Sequence, residues 1–389
     1  MVLVAGTGMT AFNRRKDGSG FREWASEAFA EALASAQLSR ADIDALVVAS
    51  ESDFFSMQLN PASVLADDLG LFGIACQRVE GGGASGQLAV QAGVAMILSG
   101  LARRVAVVGF EPSASYLGGE KVSELYGYSF DVWSDGMSGV HSTALYALSA
   151  KAFMARSGAT HDDFASIAVQ NHANACSNPL AHLPLSVSSD DVRGSPMVSD
   201  PYRRLDCSPL SDGAAAVILS QEDHAPEARR SAARIAGIGS ANDRVRLGDR
   251  PDPGHFAGKR QAAKRAYAMA GIDKPERQIA LAELYDAYSG AQLQAIEALG
   301  LSDDLLAEHR AGGFALSGRL PVNPSGGLLG QGAPVGATGI AQVITCARQI
   351  EGTYHDGLQL EKLPRYAVAD THGGIATTCA VTVLEGAQN

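Results

Sequence analysis

Short apolar runs alternate along the chain with longer segments in which apolar residues recur at helical spacing. Runs at residues 2–5, 45–49 and 105–110 predict buried strands, because such strands are short and apolar on both faces. Segments 21–36 and 84–98 repeat apolar residues every three or four positions, as helices packed on a sheet do. Further strands are predicted at 76–80, 212–219, 232–240, 279–284, 365–370 and 377–384, and further helices at 61–69, 142–156, 161–175, 258–270, 291–298 and 336–350. This alternation is typical of an α/β protein.

Two interruptions divide this pattern. Residues 111–206 are rich in aromatic, glycine and serine residues, which predicts an inserted loop domain of the kind that often carries function. The polar stretch 221–230 marks a join between two halves. We therefore expect an N-terminal half at 1–220, containing the loop domain, and a C-terminal half at 221–389.

The two halves share a sequence feature at the start of one helix each. Ala-Ser-Gly at 84–86 opens a predicted helix that closes at Gly100, and Ala-Thr-Gly at 337–339 opens another that closes at Gly352. A tandem duplication of one layered α/β unit is the simplest explanation. Chance recurrence of small-residue helix starts is the alternative.

Composition narrows the class of protein. The chain has 389 residues, 46% of them hydrophobic and 19% charged, which indicates a globular protein of more than one domain. A net charge of −11 argues against a nucleic-acid partner. No apolar run approaches the roughly 18 residues of a membrane span, and the N-terminus lacks a basic leader, so we expect a cytoplasmic protein without a membrane partner. The five cysteines are scattered without metal-ligand spacing, which predicts free thiols and no metal site.

Four glycine-rich or acidic segments occur in an order that is typical of one family. They read VEGGGASG at 79–86, SPLSDGAAA at 208–216, ELYDAY at 283–288, and NPSGG at 323–327 continuing to GAPVGATG at 332–339. Together they resemble the signatures of the thiolase superfamily over essentially the whole chain. NHANA at 171–175 and SPM at 195–197 are similar to the sterol carrier protein x thiolases, often described as lipid-transfer proteins.

The resemblance implies a five-layered αβαβα fold made of two similar halves, with an inserted loop domain. It also implies an active site at the carboxyl ends of strands, where helix N-termini and glycine loops converge. Unpaired N–H groups at such ends can stabilise a thioester oxyanion. A coenzyme A thioester would be the substrate, with no tightly bound cofactor. A homodimer is expected by the same resemblance.

The position of the family's nucleophilic cysteine, at the start of a helix just before Ala84, is occupied by Gly83. Glycine has no side chain that could accept an acyl group, so a covalent acyl-enzyme at this position is excluded. None of the five cysteines replaces it by motif. Gly83 and Ala84 remain candidate oxyanion positions, because they lie at a helix N-terminus.

The other catalytic motifs are rewritten as well. Tyr285 stands where thiolases carry Asn or His, Gly332-Ala333-Pro334 replaces Gly-His-Pro, and His372 precedes the Gly373-Gly374 pair in place of a cysteine. We predict Tyr285 and His372 as catalytic groups, because a phenol and an imidazole can exchange protons. A phenol hydrogen-bonded in the core and a histidine at a strand end are the structural alternatives. Gly332 and Gly374 are candidate oxyanion-loop positions.

A pocket with proton-transfer groups but no nucleophile suits chemistry that passes through a thioester enolate. The leading hypothesis is retro-aldol cleavage of a bulky, steroid-like β-hydroxyacyl-CoA. This resembles the thiolase-like aldolases of steroid side-chain degradation, which lack the cysteine, use tyrosines and pair with a small OB-fold, zinc-ribbon protein. An acyltransferase, or a non-catalytic acyl-CoA or lipid-binding subunit, are the alternatives.

Substrate-binding positions are predicted from the same motifs. Ser208 occupies the place of a serine that contacts the pantetheine arm in thiolases, and His172 in the loop domain is a second candidate. The stretch 229–265 holds ten Arg and Lys residues, which form either a patch for the phosphates of coenzyme A or a solvated surface. An aromatic set in the loop domain is predicted to line a tunnel or to form a packing core: Tyr116, Tyr126, Tyr128, Phe130 and Trp133.

Overall fold

The computed structural model describes residues 1–14 and 17–386. The strands are β1 (Val2–Met9), β2 (Ala45–Ala49), β3 (Ala75–Val79), β4 (Arg104–Pro112), β5 (Met197–Ser199), β6 (Tyr202–Arg203), β7 (Asp212–Gln221), β8 (Arg234–Asn242), β9 (Leu281–Glu283), β10 (Tyr366–Gly373) and β11 (Thr378–Glu385). The helices are α1 (Phe21–Ala36), α2 (Asp53–Ser56), α3 (Pro61–Asp68), α4 (Ser85–Leu98), α5 (Gly119–Gly127), α6 (Ser142–Ser157), α7 (His161–Ala175), α8 (Ser189–Gly194), α9 (Ala257–Ala270), α10 (Pro275–Gln278), α11 (Ser289–Leu299), α12 (Leu305–Arg310), α13 (Gly327–Gly330) and α14 (Val335–Glu351).

Nine strands are hydrogen-bonded in the order β3-β2-β4-β7-β1-β8-β11-β10-β9. The first five come from the N-terminal half and the last four from the C-terminal half. The link between them is short, because β1 meets β8 only at Val2–Ile235 and Leu3–Arg234. The strands β2, β3 and β4 are mutually parallel, as are β9 and β10. The predicted α/β class is confirmed.

Helices form three layers around these strands. Alternate residues of β2, β4 and β7 pack outward on α1 and α3, and the intervening residues pack inward on α4 and α14. Strands from the C-terminal half share the same inner core and send their other face to α9 and α11. The order of layers is therefore helix, sheet, helix, sheet, helix.

Two pairs of glycines mark equivalent helix-on-strand contacts in the two halves. A Cβ at Gly6 or Gly8 of β1 would collide with backbone carbonyls of α1, and one at Gly237 or Gly239 of β8 would collide with those of α9. Each strand therefore lies against its helix at the closest distance that a backbone permits. The repeated contact supports two similar halves.

The inserted segment contributes α5 to α8 and the small β5-β6 hairpin. Its side chains Phe130, Tyr146, Phe153 and Phe164 belong to the same core as α9 and α11. The insertion is thus packed on the C-terminal half, although it departs from the N-terminal half in sequence. No helix within residues 1–14 and 17–386 is both long and apolar enough to cross a membrane.

Candidate active site

A cavity of about 350 Å³ lies where the loop domain meets the carboxyl ends of the strands. Glu51 follows β2, Gly83 follows β3, Tyr285 follows β9, and His372 is the penultimate residue of β10. The loop domain closes the other side mainly with Tyr126, Phe130, Ser142, Thr143 and Tyr146. The carboxyl ends of parallel strands therefore gather residues that are far apart in sequence into one site.

Gly83 lies against Tyr285. A Cβ added at Gly83 would be 2.8 Å from Cζ of Tyr285, and closer still to its hydroxyl oxygen and to the carbonyl oxygen of His372. The phenol hydroxyl thus takes the space that a side chain at residue 83 would need. A cysteine cannot be accommodated there without moving the backbone of β10.

The backbone N–H of Tyr285 is fixed by a buried ion pair. This N–H donates to Oδ1 of Asp370 at 3.1 Å, and the other oxygen of Asp370 pairs with Lys259, both side chains being fully buried. Burial raises the pKa of the Tyr285 phenol well above its ordinary value, and the nearby carboxylates, first Glu51, raise it further. Tyr285 is therefore a protonated phenol at neutral pH, and it can give up its proton only to a strongly basic group such as the carbon of an enolate.

His372 forms a hydrogen-bonded pair with Tyr146, whose hydroxyl lies 2.6 Å from Nε2 and 2.8 Å from the carbonyl oxygen of Gly374. The tyrosine O–H donates to that carbonyl, which assigns the proton of the imidazole to Nε2. Nδ1 is buried without a hydrogen-bond partner in the described structure. Burial, followed by the charges of Lys259 and Arg250, holds the pKa of His372 well below its ordinary value, so the ring is neutral.

Two of the predicted oxyanion positions lie in the cavity wall with a backbone N–H group that is unbonded in the described part of the chain. The N–H groups of Gly83 and Gly374 donate to no acceptor within residues 1–14 and 17–386. Gly374 adopts φ +58°, a left-handed conformation that favours glycine. The N–H of Ala84, in contrast, already donates to Gly81, and Ala84 is not in the wall.

The predicted loop position Gly332 is also outside the wall, and its neighbour Ala333 lines the cavity instead. The N–H of Ala333 donates to Oγ of Ser211 at 3.0 Å, so it is not free for a substrate. Gly332 has φ +114°, and a Cβ there would approach Oγ of Ser211 to 2.7 Å. It shapes this turn rather than contacting the cavity.

The two predicted binding residues fall in different places. Ser208 lines the cavity, with its N–H bonded to the carbonyl of Ala287 at 3.0 Å. His172 lies on α7, buried, with Nδ1 3.2 Å from the carbonyl oxygen of Leu183, and it is not part of the cavity wall. The placement of His172 in the pocket was wrong, because the inward face of α7 packs on α13 rather than on the cavity.

The basic stretch 229–265 does not contribute to the cavity wall: most of its Arg and Lys residues are exposed, and a few are bound within the fold. Arg229 pairs with Glu351 at 2.8 Å, and Arg250 is buried with Nη1 2.6 Å from the carbonyl oxygen of Ile375. Within the described part of the chain, exposed Arg204 is the only lysine or arginine of the cavity wall.

Of the predicted aromatic set, Tyr126 and Phe130 line the cavity, whereas Tyr116, Tyr128 and Trp133 do not. Two further wall residues lie in no family motif of the sequence: Glu51 and Tyr146. Tyr288, the last residue of ELYDAY, also lines the wall. For Glu51 there is a local signal, because a carboxylate stands two residues after a buried parallel strand. Tyr146 has none, since 226 positions separate it from its partner His372.

Cys207 is the cysteine of the cavity wall, and it is not activated. Its Sγ donates to the carbonyl of Arg203 at 3.2 Å, and burial raises the pKa of the thiol to about 12. A neutral thiol is a poor nucleophile. Among residues 1–14 and 17–386, no three His, Cys, Asp or Glu side chains are grouped so as to hold a metal ion.

The layered fold and the cavity at the strand ends define an α/β enzyme, and the family follows from comparison with known proteins. The family model for the thiolase N-terminal domain matches residues 2–223, and the one described as thiolase C-terminal domain-like matches residues 239–386. The chain belongs to the thiolase superfamily, whose members act on acyl-CoA thioesters. Its five-layered fold is the thiolase fold.

Individual relatives agree with this assignment. An acetyl-CoA acetyltransferase of Methanothermobacter thermautotrophicus is 35% identical, over 98% of this chain and 99% of its own. Sterol carrier protein 2 of Oryctolagus cuniculus is 29% identical, over 90% of this chain and 66% of its own. The solved structure of an Ltp2-ChsH2(DUF35) aldolase has a TM-score of 0.82 at 23% identity, covering 99% of this chain and 97% of that one, and shows the shared fold. The chain is therefore a thiolase-like protein that is also similar to sterol carrier protein 2.

Proposed function

We propose that the protein cleaves a bulky, steroid-like β-hydroxyacyl-CoA by a retro-aldol reaction, without a covalent enzyme intermediate. One observation carries the proposal: the hydroxyl of Tyr285 occupies the space that a nucleophilic side chain at residue 83 would need. The wall then offers proton-transfer groups and free N–H donors but no activated thiol. Such proton-transfer groups and N–H donors are what an enzyme needs to form an enolate, to stabilise it and to protonate it.

The reaction needs no co-reactant. A base takes the proton of the β-hydroxyl group, a carbonyl forms at Cβ, and the Cα–Cβ bond breaks. Its electron pair becomes the enolate of the shortened acyl-CoA, stabilised by the N–H groups of Gly83 and Gly374. Tyr285, which burial keeps protonated, donates its proton to Cα. The products are a carbonyl compound and a shortened acyl-CoA.

His372 supports this arrangement as a neutral ring next to Tyr285, with ring centroids 4.7 Å apart. Its neutral state avoids a further positive charge beside Lys259 and Arg250. We assign it a role in returning a proton to Tyr285 by passing from one neutral tautomer to the other, so that the ring never becomes a cation. Ser208 and exposed Arg204, both in the wall, are proposed to contact the pantetheine arm and a phosphate of coenzyme A.

The test compares two tyrosine variants on a synthetic β-hydroxyacyl-CoA, with release of the carbonyl product as the readout. Tyr285→Phe is expected to lower kcat at least roughly 100-fold with KM nearly unchanged, because it removes only the hydroxyl. Tyr267→Phe is the control, since Tyr267 is a buried phenol outside the cavity that donates to the carbonyl of Leu299. Equal turnover by Tyr285→Phe and Tyr267→Phe would remove Tyr285 from the mechanism.

Acyl transfer is the second candidate, favoured by the 35% identity to a relative named acetyl-CoA acetyltransferase. It would have to proceed without a thiolate at residue 83, and Cys207 is not ionised in its place. Production of acetoacetyl-CoA from acetyl-CoA, with no cleavage of β-hydroxyacyl-CoA, would favour this candidate. Binding of acyl-CoA without any turnover would instead indicate a non-catalytic subunit.

We further propose an association with a small OB-fold, zinc-ribbon protein, supported by the name of the structural relative, an aldolase with a DUF35 component. A homodimer, a cytoplasmic location, and division of the chain into halves at 1–220 and 221–389 complete the proposal. Size-exclusion chromatography with light scattering, with and without the candidate partner, tests the assembly.

A further inference from the structure

Glu51 stands out because one of its carboxylate oxygens is buried and unused. Oε1 lies 3.3 Å from the hydroxyl of Ser129, whereas Oε2 is buried with no hydrogen-bond partner in the described structure. Buried polar atoms without partners are uncommon, since leaving one unpaired costs about 1 to 3 kcal/mol. Glu51 lines the same cavity as Tyr285 and His372, so its carboxylate belongs to the site.

The backbone fixes this carboxylate at the end of β2. The N–H of Glu51 donates to Oε2 of Glu111 at 2.6 Å, and the same carboxyl group accepts from the N–H of Gly336 at 3.2 Å. Glu111 is fully buried on β4 and thereby ties the end of β2 to the start of α14. Position 51 is thus anchored by elements from both halves of the chain.

The charged and titratable groups around Glu51 come from several elements: Glu111 lies on β4, Glu80 follows β3, Tyr126 lies on α5, Tyr285 follows β9 and His372 lies near the end of β10. A cation near this group is Arg78 on β3, which is already paired with Asp53 and bonded to the carbonyl of Ser50. Burial first, and then the charge of Glu80, raise the pKa of Glu51 to about 7.

The other groups of the cavity are poorly suited to take a proton from a substrate hydroxyl. Tyr285 is kept protonated by burial and by the carboxylates near it. His372 would have to become a cation close to Lys259 and Arg250, which disfavours its charged form. Cys207 is a neutral thiol.

We propose that Glu51 is the general base of the reaction: its carboxylate takes the proton of the β-hydroxyl group as the Cα–Cβ bond breaks. This inference rests on the proposed function and names the group that its first step requires. Tyr285 and Glu51 then have opposite roles, one donating to Cα and the other accepting from oxygen. The carboxylic acid formed on Glu51 loses its proton to solvent before the next turnover.

A route for that proton exists. A second cavity of about 540 Å³ shares Glu51, Ser129 and Gly374 with the first and extends to the surface beside exposed Phe54 and Tyr128. Glu51 therefore separates the substrate cavity from a cavity that solvent can enter. Proton exchange through this side does not require the substrate to leave.

The test measures kcat and KM for carbonyl release as a function of pH in the full chain. In the wild type, kcat should rise as pH increases through about 7, because Glu51 can accept a proton only when it is ionised. Glu51→Gln should lower kcat at least roughly 100-fold, leave KM within about threefold, and abolish this rise. Glu120→Gln is the control, since Glu120 is exposed on α5 and lies outside the cavity wall.

A second variant keeps the test decisive if Gln at position 51 impairs folding. Glu51→Asp retains a carboxylate but withdraws it by one methylene, so kcat should fall about tenfold while the rise with pH remains. A Glu51→Gln enzyme within about threefold of wild-type kcat, or an Asp variant without the pH dependence, would overturn the role of Glu51 alone. A wild-type protein that releases no carbonyl product from any β-hydroxyacyl-CoA would overturn the retro-aldol reaction itself, and the role of Glu51 with it.

Discussion

At the scale of single residues, Gly83 and Tyr285 decide which chemistry is open to this protein. The absence of a Cβ at residue 83 lets the phenol approach the backbone at the start of α4. The carbonyl oxygen of His372 closes the remaining space, so the two residues and the end of β10 form one tightly packed unit. A change at any of them affects the other two.

Adding one methyl group at Gly83 tests this packing. Gly83→Ala places its Cβ 2.8 Å from Cζ of Tyr285 and closer to a backbone carbonyl that cannot rotate away. We expect a loss of about 1 to 3 kcal/mol in the free energy of unfolding and at least a roughly tenfold loss of kcat. Urea denaturation and steady-state kinetics measure both. Gly194→Ala, which adds a Cβ in open space, is the control and should change neither.

Glu51 should destabilise the folded protein at any pH at which its carboxyl group is ionised. Its pKa in the folded protein is about 7, above the ordinary 4.5, so ionisation favours the unfolded chain, and the contribution of Glu51 to stability is lost as pH rises from 4.5 through 7. Glu51→Gln should therefore unfold with a free energy about 1 to 3 kcal/mol higher than wild type at about pH 8, and nearly equal at about pH 4.5. Chemical denaturation at both pH values measures this. A variant less stable than wild type at the higher pH would show that Glu51 is a structural residue.

The sequence predicted only part of the site, and there is a physical reason why the other residues could not be predicted. Gly83, Tyr285, His372 and Gly374 could be found because local motifs surround them, and all four line the cavity. Tyr146 reaches His372 only through the packing of α6 on the C-terminal half, which leaves no local pattern in the sequence. His172 was misplaced because its motif predicts a helix but does not show that this helix packs on α13, away from the cavity.

At the scale of elements, the site depends on the buried contact between α9, β10 and the loop after β9. Lys259 of α9 pairs with Asp370 of β10, and Asp370 accepts the N–H of Tyr285. The predicted bounds agree with the structure for α1, α7 and β2, whereas β1, predicted at 2–5, extends to Met9 and β9, predicted at 279–284, is only Leu281–Glu283. The helices α2, α8, α10, α12 and α13 were not predicted, since they have only four to six residues and are too short to show a period. The helix α5 was missed as well, because it lies in the glycine-rich and aromatic loop domain.

Removing the lysine of this contact should strongly destabilise the folded protein. Lys259→Met leaves Asp370 as an unpaired buried carboxylate, which typically costs about 3 to 5 kcal/mol in the free energy of unfolding. Lys264→Met on the same helix is the control, because Lys264 is exposed. Urea denaturation of both variants is the measurement. Equal stability of the two would mean that the buried pair does not hold the Tyr285 loop.

At the scale of the whole molecule, the two halves meet at the crossing of α4 and α14. A Cβ at Gly86 would lie 2.9 Å from the N atoms of Gly339 and Ile340, and one at Gly339 would lie 2.7 Å from the N atom of Gln87. The two repeated helix starts seen in the sequence therefore face each other in the structure. Both helices belong to one inner core that includes strands from each half.

This shared core predicts that the chain unfolds as one unit. Gly339→Ala should overpack the crossing and lower the free energy of unfolding by about 1 to 3 kcal/mol. Its transition should remain single, with far-UV circular dichroism and tryptophan fluorescence coinciding. Gly248→Ala, which adds a Cβ in open space, is the control. Two separate transitions would contradict a common core for the two halves.

The most direct test of a non-covalent mechanism is the intact mass of the protein during turnover. The chain is mixed with a β-hydroxyacyl-CoA, quenched in acid within the first turnovers, and weighed by mass spectrometry while the released carbonyl compound is quantified. We predict an unchanged protein mass together with release of the carbonyl product and a shortened acyl-CoA. An acyl group attached to the polypeptide in proportion to turnover would contradict the account.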